Sequence, residues 1–143
     1  MNKVILMGRL TRDPEIRYTN SSEPLAITRY SIAVNRRFKR EGEPDADFIN
    51  CVAFGKSGEF ANNYFRKGMM VSVVGNLRVN SWDDQSGQKR YSTDVVIEEQ
   101  HFAESKKSYE ANHGPMSAPS KPVENNMPED FSQSNETDDD LPF

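Results

Sequence analysis

The stretch DFINCVAFGKSGEFANNYFRKGMMVSVVGNLRV, residues 47–79, changes its periodicity twice, and the fold can be read from those changes. Residues 47–54 have strand composition but are apolar on both sides. Phe48, Asn50, Val52 and Phe54 share one face, and Ile49, Cys51 and Ala53 share the other. Periodicity leaves either face eligible for the interior. From Ser57 the spacing becomes helical, with Phe60, Ala61, Tyr64 and Phe65 on one side. Ser57 is the candidate cap, Arg66 and Lys67 suit the negative end of the helix dipole, and Gly68 is the stop signal. A period of two then returns: Val71, Val73, Gly75, Leu77 and Val79 alternate with Ser72, Asn76, Arg78 and Asn80.

Working outward, the flanks add strands and turns. Lys3–Leu10 is a compact apolar strand in which Gly8 is a candidate bulge. Asp13-Pro14 and residues 20–24 are turn signals, and Ala26, Thr28, Tyr30, Ile32 and Val34 mark one face of a second strand. Residues 39–45 form a charged loop. Downstream, residues 83–88 separate two strands, and Tyr91, Thr93, Val95 and Ile97 are expected to form the inward face of the last one. Three strands, one helix and two strands fit an all-β OB-fold, a five-stranded, partly open barrel with a helix between strands 3 and 4. Such barrels bind oligonucleotides and oligosaccharides.

Beyond residue 103 the composition changes. Residues 104–143 are rich in Ser, Asn, Glu, Asp and Pro and poor in β-branched residues, so a disordered C-terminal tail is expected. The mean hydropathy of −0.80 agrees with incomplete folding. Net charge is −4, but its distribution matters more. Residues 1–103 hold 15 Lys/Arg against 13 Asp/Glu, whereas residues 111–143 hold one Lys against seven acids. A mildly basic body with an acidic tail suits interaction through both parts. No apolar run is long enough to span a membrane or act as a signal peptide. The single cysteine, Cys51, cannot form an internal disulfide, and the expected location is cytoplasmic.

Candidate binding residues are aromatic and basic. Trp82 extends the face of Asn76, Arg78 and Asn80, where a base could stack on it; partial cover by the hairpin is the ordinary alternative. Phe38 lies between Arg36-Arg37 and Lys39-Arg40, a setting for a stacked base with phosphates nearby, or simply an exposed loop residue. Arg12, Arg17, Arg36, Arg37, Lys56, Arg66, Lys67 and Arg78 could line a groove that tracks a backbone, or belong to a solvated surface. Catalysis finds little support. His101, His113 and Cys51 make no zinc spacing, no phosphate-binding loop occurs, and Asp83-Asp84 reads as solvated, so no cofactor, metal or catalytic residue is expected.

Several blocks in order resemble the bacterial and phage single-stranded DNA-binding (SSB) proteins. They are Asn2–Leu10 with Asp13–Tyr18, Phe48–Lys56, Tyr64–Gly68, the hairpin Trp82–Tyr91, and the acidic ending Asp138–Phe143. The resemblance covers nearly all of residues 1–103 and then 138–143. It implies three parts: an OB domain at 1–103, a linker at 104–137 and a partner-docking tip at 138–143. It implies stacking of single-stranded DNA on Phe38, Phe48, Phe54 and Trp82, which leaves Ile49, Cys51 and Ala53 for the core. Backbone contacts would fall to Arg17, Lys56, Arg66, Lys67 and Arg78. Two of the stacking positions carry Trp in some relatives and Phe here, and Asn80 stands where some carry Arg. The resemblance further implies a homotetramer that protects single strands in replication, recombination and repair. Asp138, Asp139, Asp140, Leu141, Pro142 and Phe143 would then recruit DNA replication and repair proteins. Its principal rival is an RNA-binding OB protein. A protein-only scaffold and a nuclease are the alternatives from other classes.

Overall fold

A computed structural model describes residues 1–114. The chain runs β1 (Val4–Leu10), β2 (Glu15–Tyr18), β3 (Ala26–Asn35), β4 (Ala46–Phe54), α1 (Gly55–Tyr64), β5 (Met70–Asp83), β6 (Lys89–Phe102) and α2 (Lys106–His113). The strands hydrogen-bond in the order β1-β5-β6-β4-β3-β2, and β1 also pairs with β3, which closes the ring. All pairings are antiparallel except the short parallel contact of β4 with β6. This is the OB-fold, with α1 between the third and fourth of the five strands read from the sequence. The short β2 is additional: residues 15–18 occupy the edge of β3 that β1 leaves unpaired.

Alternation in β3 decides the barrel interior. Ala26, Thr28, Tyr30 and Ile32 are all buried, facing Cys51 and Ala53 of β4 and Val71, Val73, Val95 and Ile97 of the long hairpin. Phe65, just past α1, is fully buried and meets Tyr30, Phe60 and Phe102 at ring-centroid distances of 5.8, 5.8 and 5.5 Å. Polar groups inside are satisfied, as burial demands. Thr28 Oγ1 donates to the Gly58 carbonyl at 2.7 Å, Tyr30 Oη to Gln100 Oε1 at 2.9 Å, and Gln100 Nε2 to the Ser57 carbonyl at 2.6 Å. These bonds fasten α1 under the barrel. Burial also pushes the Cys51 thiol up to about 12, aided by nearby Asp94, so it stays protonated and inert at neutral pH.

Several local expectations are corrected. Gly8 is not a bulge, since β1 pairs with β5 in unbroken register. It is small because β3 crosses close by: a Cβ there would lie 2.6 Å from the Ala33 carbonyl oxygen. The register shift falls instead at Val74/Gly75, where a Cβ on Gly75 would sit 2.1 Å from the Val96 oxygen. Beyond it the hairpin leaves the barrel. Leu77, Val79, Tyr91 and Thr93, expected inside, are exposed because no second layer lies across from them. Ser57 does not cap α1, whose N-cap is Phe54, and Arg66, Lys67 and Gly68 follow the helix rather than ending it. Arg66 still neutralises the helix end, donating to the carbonyls of Asn62, Phe65 and Asn63.

The segment expected to be unstructured from residue 104 begins instead with α2. Ser105 caps it by accepting from the Ser108 N–H, and Tyr109 is buried against the core cluster. The Tyr109 hydroxyl donates to the Lys67 carbonyl at 3.0 Å, and its ring stacks on His113 at 4.6 Å. One aromatic anchor thus orders a segment that composition alone reads as chain entropy. The rest of the expected linker and the tip lie outside the described residues.

Candidate nucleic-acid interface

Strand register determines which side chains share the outer face of the sheet. Across β3 and β4, Ile27 opposes Phe54, Arg29 opposes Val52, Ser31 opposes Asn50 and Ala33 opposes Phe48. Across β2 and β3, Arg17 opposes Ile27 and Glu15 opposes Arg29. Val52 meets Val96 of β6, which opposes Asn76, and the same face continues through Arg78/Asp94 and Asn80/Ser92 to Trp82/Arg90. One continuous surface therefore runs from Arg17 to Trp82. Because Cys51 and Ala53 are fully buried, Phe48 and Phe54 point outward. Phe48 is 69% exposed, Trp82 50% and Phe38 80%, while Phe54 is half-buried. Large rings left in water on one face suit the stacking of a flat ligand.

The arginines divide into two groups. Arg36 is committed to the fold: it donates to Asp47 Oδ1 through Nε at 2.9 Å and Nη2 at 2.6 Å, holding that carboxyl below its usual range. Arg9 donates to the Gly68 carbonyl, Arg66 to the end of α1 and Arg90 to Asp84. Among the described residues, Arg12, Arg17, Arg29 and Arg78 make no side-chain hydrogen bond or ion pair. They converge on three adjoining depressions of the outer face. One is lined by Glu15, Arg17, Ile27 and Arg29, a second by Arg12, Arg29 and Asp94 among others, and a third by Arg29, Phe54, Arg78 and Asp94 among others. Cations the fold does not use are available to an anionic ligand.

Most of the site residues expected from sequence meet here. Arg17, Phe48, Phe54, Arg78 and Trp82 share the face, and Lys56 follows Phe54 in the first turn of α1. Phe38 stands in the β3–β4 loop beyond the last paired residues, and Lys39 beside it pairs with Asp45. Arg66 and Lys67 lie in the α1–β5 connection, off this face. Arg29, shared by all three depressions, was missed. Its position opposite the buried series in the β3 alternation was the available signal. Among the described residues no group of three His, Cys, Asp or Glu could hold a metal, and no helix is long and apolar enough to cross a membrane.

Asp84 shapes the tip that carries Trp82. Its Oδ1 accepts from Ser86 Oγ at 2.6 Å and from the Ser86 and Gln88 N–H groups, while Oδ2 accepts from Arg90 Nε at 2.9 Å. The Ser86 hydroxyl, Arg90 and the Gln88 amide together lower its carboxyl to about 2. A depressed carboxylate stabilises the folded tip above its unfolded pKa, about 4, and that contribution is lost as pH falls through the folded value. Trp82 emission should therefore change between about pH 4 and pH 2 while the barrel's circular dichroism persists. An Asp84→Ala variant should show no such step. A step of equal size in that variant would refute the assignment.

With this geometry in place, comparison with known proteins is informative. The model of the single-strand binding protein family matches residues 1–103. A Clostridium perfringens protein named single-stranded DNA-binding protein is 50% identical over 105 residues, covering 73% of this chain and 67% of its own. A namesake from Caldanaerobacter subterraneus is 38% identical over 155 residues, covering 100% of this chain and 99% of its own. Single-stranded DNA-binding protein 4 of Streptococcus agalactiae is 40% identical, again over 100% and 99% of the two chains.

Proposed function

Because this chain belongs to the single-strand binding protein family, we propose that it binds single-stranded DNA largely without regard to sequence, and does no chemistry on it. The carrying observation is the register that lays Phe48, Phe54 and Trp82 along one face with the uncommitted Arg17, Arg29 and Arg78. Bases stack on the rings, each stack contributing roughly 1–3 kcal/mol for any base. Lys56 and the arginines displace condensed counterions from phosphates, so affinity falls with salt at a slope near −0.7 per neutralised phosphate. Duplex DNA hides its base faces and binds poorly. Phe38, on its exposed loop, extends the platform, while Lys67, and Arg66 through the donors it does not spend on the end of α1, serve a strand that wraps around the barrel.

The same reading covers the whole chain. Residues 1–103, with α2 packed against them, are the binding domain, the rest of 104–137 is a linker and 138–143 a docking tip for DNA-metabolism proteins. The tip's three aspartates beside Leu141-Pro142-Phe143 suit a basic pocket with an apolar slot. The chain assembles as a homotetramer. Ile5 and Met7 of β1 are 70% and 60% exposed beside half-buried Val74, a patch that a second copy would cover. Its work is protection of exposed strands in cytoplasmic replication, recombination and repair.

The sole tryptophan reports on the interface. Titration with oligo-dT should quench Trp82 strongly and survive moderate salt, whereas the matched duplex should respond weakly. Equal quenching by oligo-U would turn the assignment to RNA. No binding to any strand, by quenching or calorimetry, would overturn it. A variant lacking residues 138–143 should bind oligo-dT more tightly at low salt and lose partner recruitment. No change in either respect would remove the tip's role.

A further inference from the structure

The outer face carries two acids, Glu15 at its β2 edge and Asp94 near its centre, where a surface that follows a polyanion should have none. Asp94 of β6 lines two of the three depressions, beside Arg29, Val52, Phe54, Arg78 and Asn80. The fold does not consume its charge. Asp94 opposes Arg78 across β5–β6, yet among the described residues no cation lies within ion-pair distance of it. Among the described residues its one side-chain hydrogen bond is a long one, from Asn80 Nδ2 at 3.5 Å. A carboxylate so placed repels phosphate. It is favourable toward a cation or toward a group that donates hydrogen bonds.

We propose that Asp94, flanked by Arg29 and Arg78, forms a base-reading subsite that favours guanine; this rests on the single-stranded DNA reading above. An ionised carboxylate only accepts hydrogen bonds, and a guanidinium only donates them. Guanine is the base that answers both. Its N1–H and N2–H₂ present two parallel donors that match the two carboxylate oxygens, and its O6 and N7 accept from a guanidinium. Cytosine and adenine each offer one exocyclic amino group. Thymine offers a single N3–H between two carbonyl oxygens that the carboxylate repels. Val52 and Phe54 supply the apolar wall for the ring. In a single strand the Watson–Crick edge is unpaired and free to enter. The subsite adds a graded preference at one position of an otherwise sequence-tolerant surface.

Competition binding against oligo-dT tests this, using strands in which one central thymine is replaced by guanine, inosine, cytosine or adenine. The guanine strand should bind about fivefold or more tighter than all-dT, the lower end of what a bidentate base contact supplies. Inosine, which lacks the N2 amino group, should lose most of that gain. Asp94→Ala should abolish the preference while oligo-dT affinity holds or rises, and Asp94→Asn, which keeps one acceptor oxygen, should fall between. If wild type shows no guanine preference and Asp94→Ala strengthens every strand equally, Asp94 merely repels phosphate and the proposal fails. Failure of wild type to bind oligo-dT at all would instead overturn the underlying function.

Discussion

The double substitution Phe54→Ala/Trp82→Ala is expected to weaken oligo-dT binding by about 30-fold or more. Each ring removed takes away a stack of roughly 1–3 kcal/mol, so independent losses sum to about 2 kcal/mol at the low end, or about 30-fold. The two rings bracket the interface. Phe54 sits where β4 turns into α1, and Trp82 near the end of the hairpin. Their loss should leave the salt slope intact, because no charge is removed, whereas Arg29→Ala/Arg78→Ala should flatten it by about 1.4. That separation of effects makes the experiment decisive. A double variant within fivefold of wild type, at unchanged thermal stability, would mean that bases do not stack on these rings. Calorimetry is the appropriate readout here, since the fluorophore itself is gone.

Phe65→Ala is expected to cost about 3–5 kcal/mol of stability, as truncation of a fully buried aromatic generally does. Measured against the 5–15 kcal/mol of ordinary domains, this approaches the whole margin. Phe65 has no exposed surface and presents or receives edges from Tyr30, Phe60 and Phe102. It therefore joins β3, α1 and the end of β6 at one point. Each contact adds about 0.5–1.5 kcal/mol beyond burial. Because Lys56 lies on α1 and Phe54 is its N-cap, loosening this joint should also disturb one end of the binding face. Urea unfolding gives the number. A loss below about 2 kcal/mol would show that the cavity collapses and that the aromatic cluster is not the joint. Phe65→Leu, which retains most of the volume, should fall well below the alanine cost.

The expected elements were legible wherever a pattern is local. The alternation of β3 and the i, i+4 spacing of Phe60, Ala61, Tyr64 and Phe65 are written within ten residues, so strand and helix were readable there. The aromatic character of the proposed interface was readable for the same reason: Trp82 follows Asn76, Arg78 and Asn80 on one strand face. The helix ends were read less well. Ser57 satisfies the chemistry of a cap, but the chain enters α1 directly from β4, which leaves Phe54 at that position.

Composition and short-range periodicity sufficed for the five main strands, for α1 and their order, and for the contrast between a basic body and an acidic tail, but not for β2 or α2. Those properties depend on each residue and its near neighbours alone. Burial depends on what lies opposite, and only the folded chain supplies that. It turned Phe48 and Phe54 outward from a strand apolar on both faces, and it left Leu77 and Tyr91 exposed in an alternation indistinguishable from that of a buried strand. It ordered residues 106–113 through the single anchor Tyr109. It brought Arg29 of β3 beside Arg78 and Asp94 of the β5–β6 hairpin, in one depression. Side chains separated by dozens of residues become neighbours through strand register, a property of paired strands that no single segment encodes.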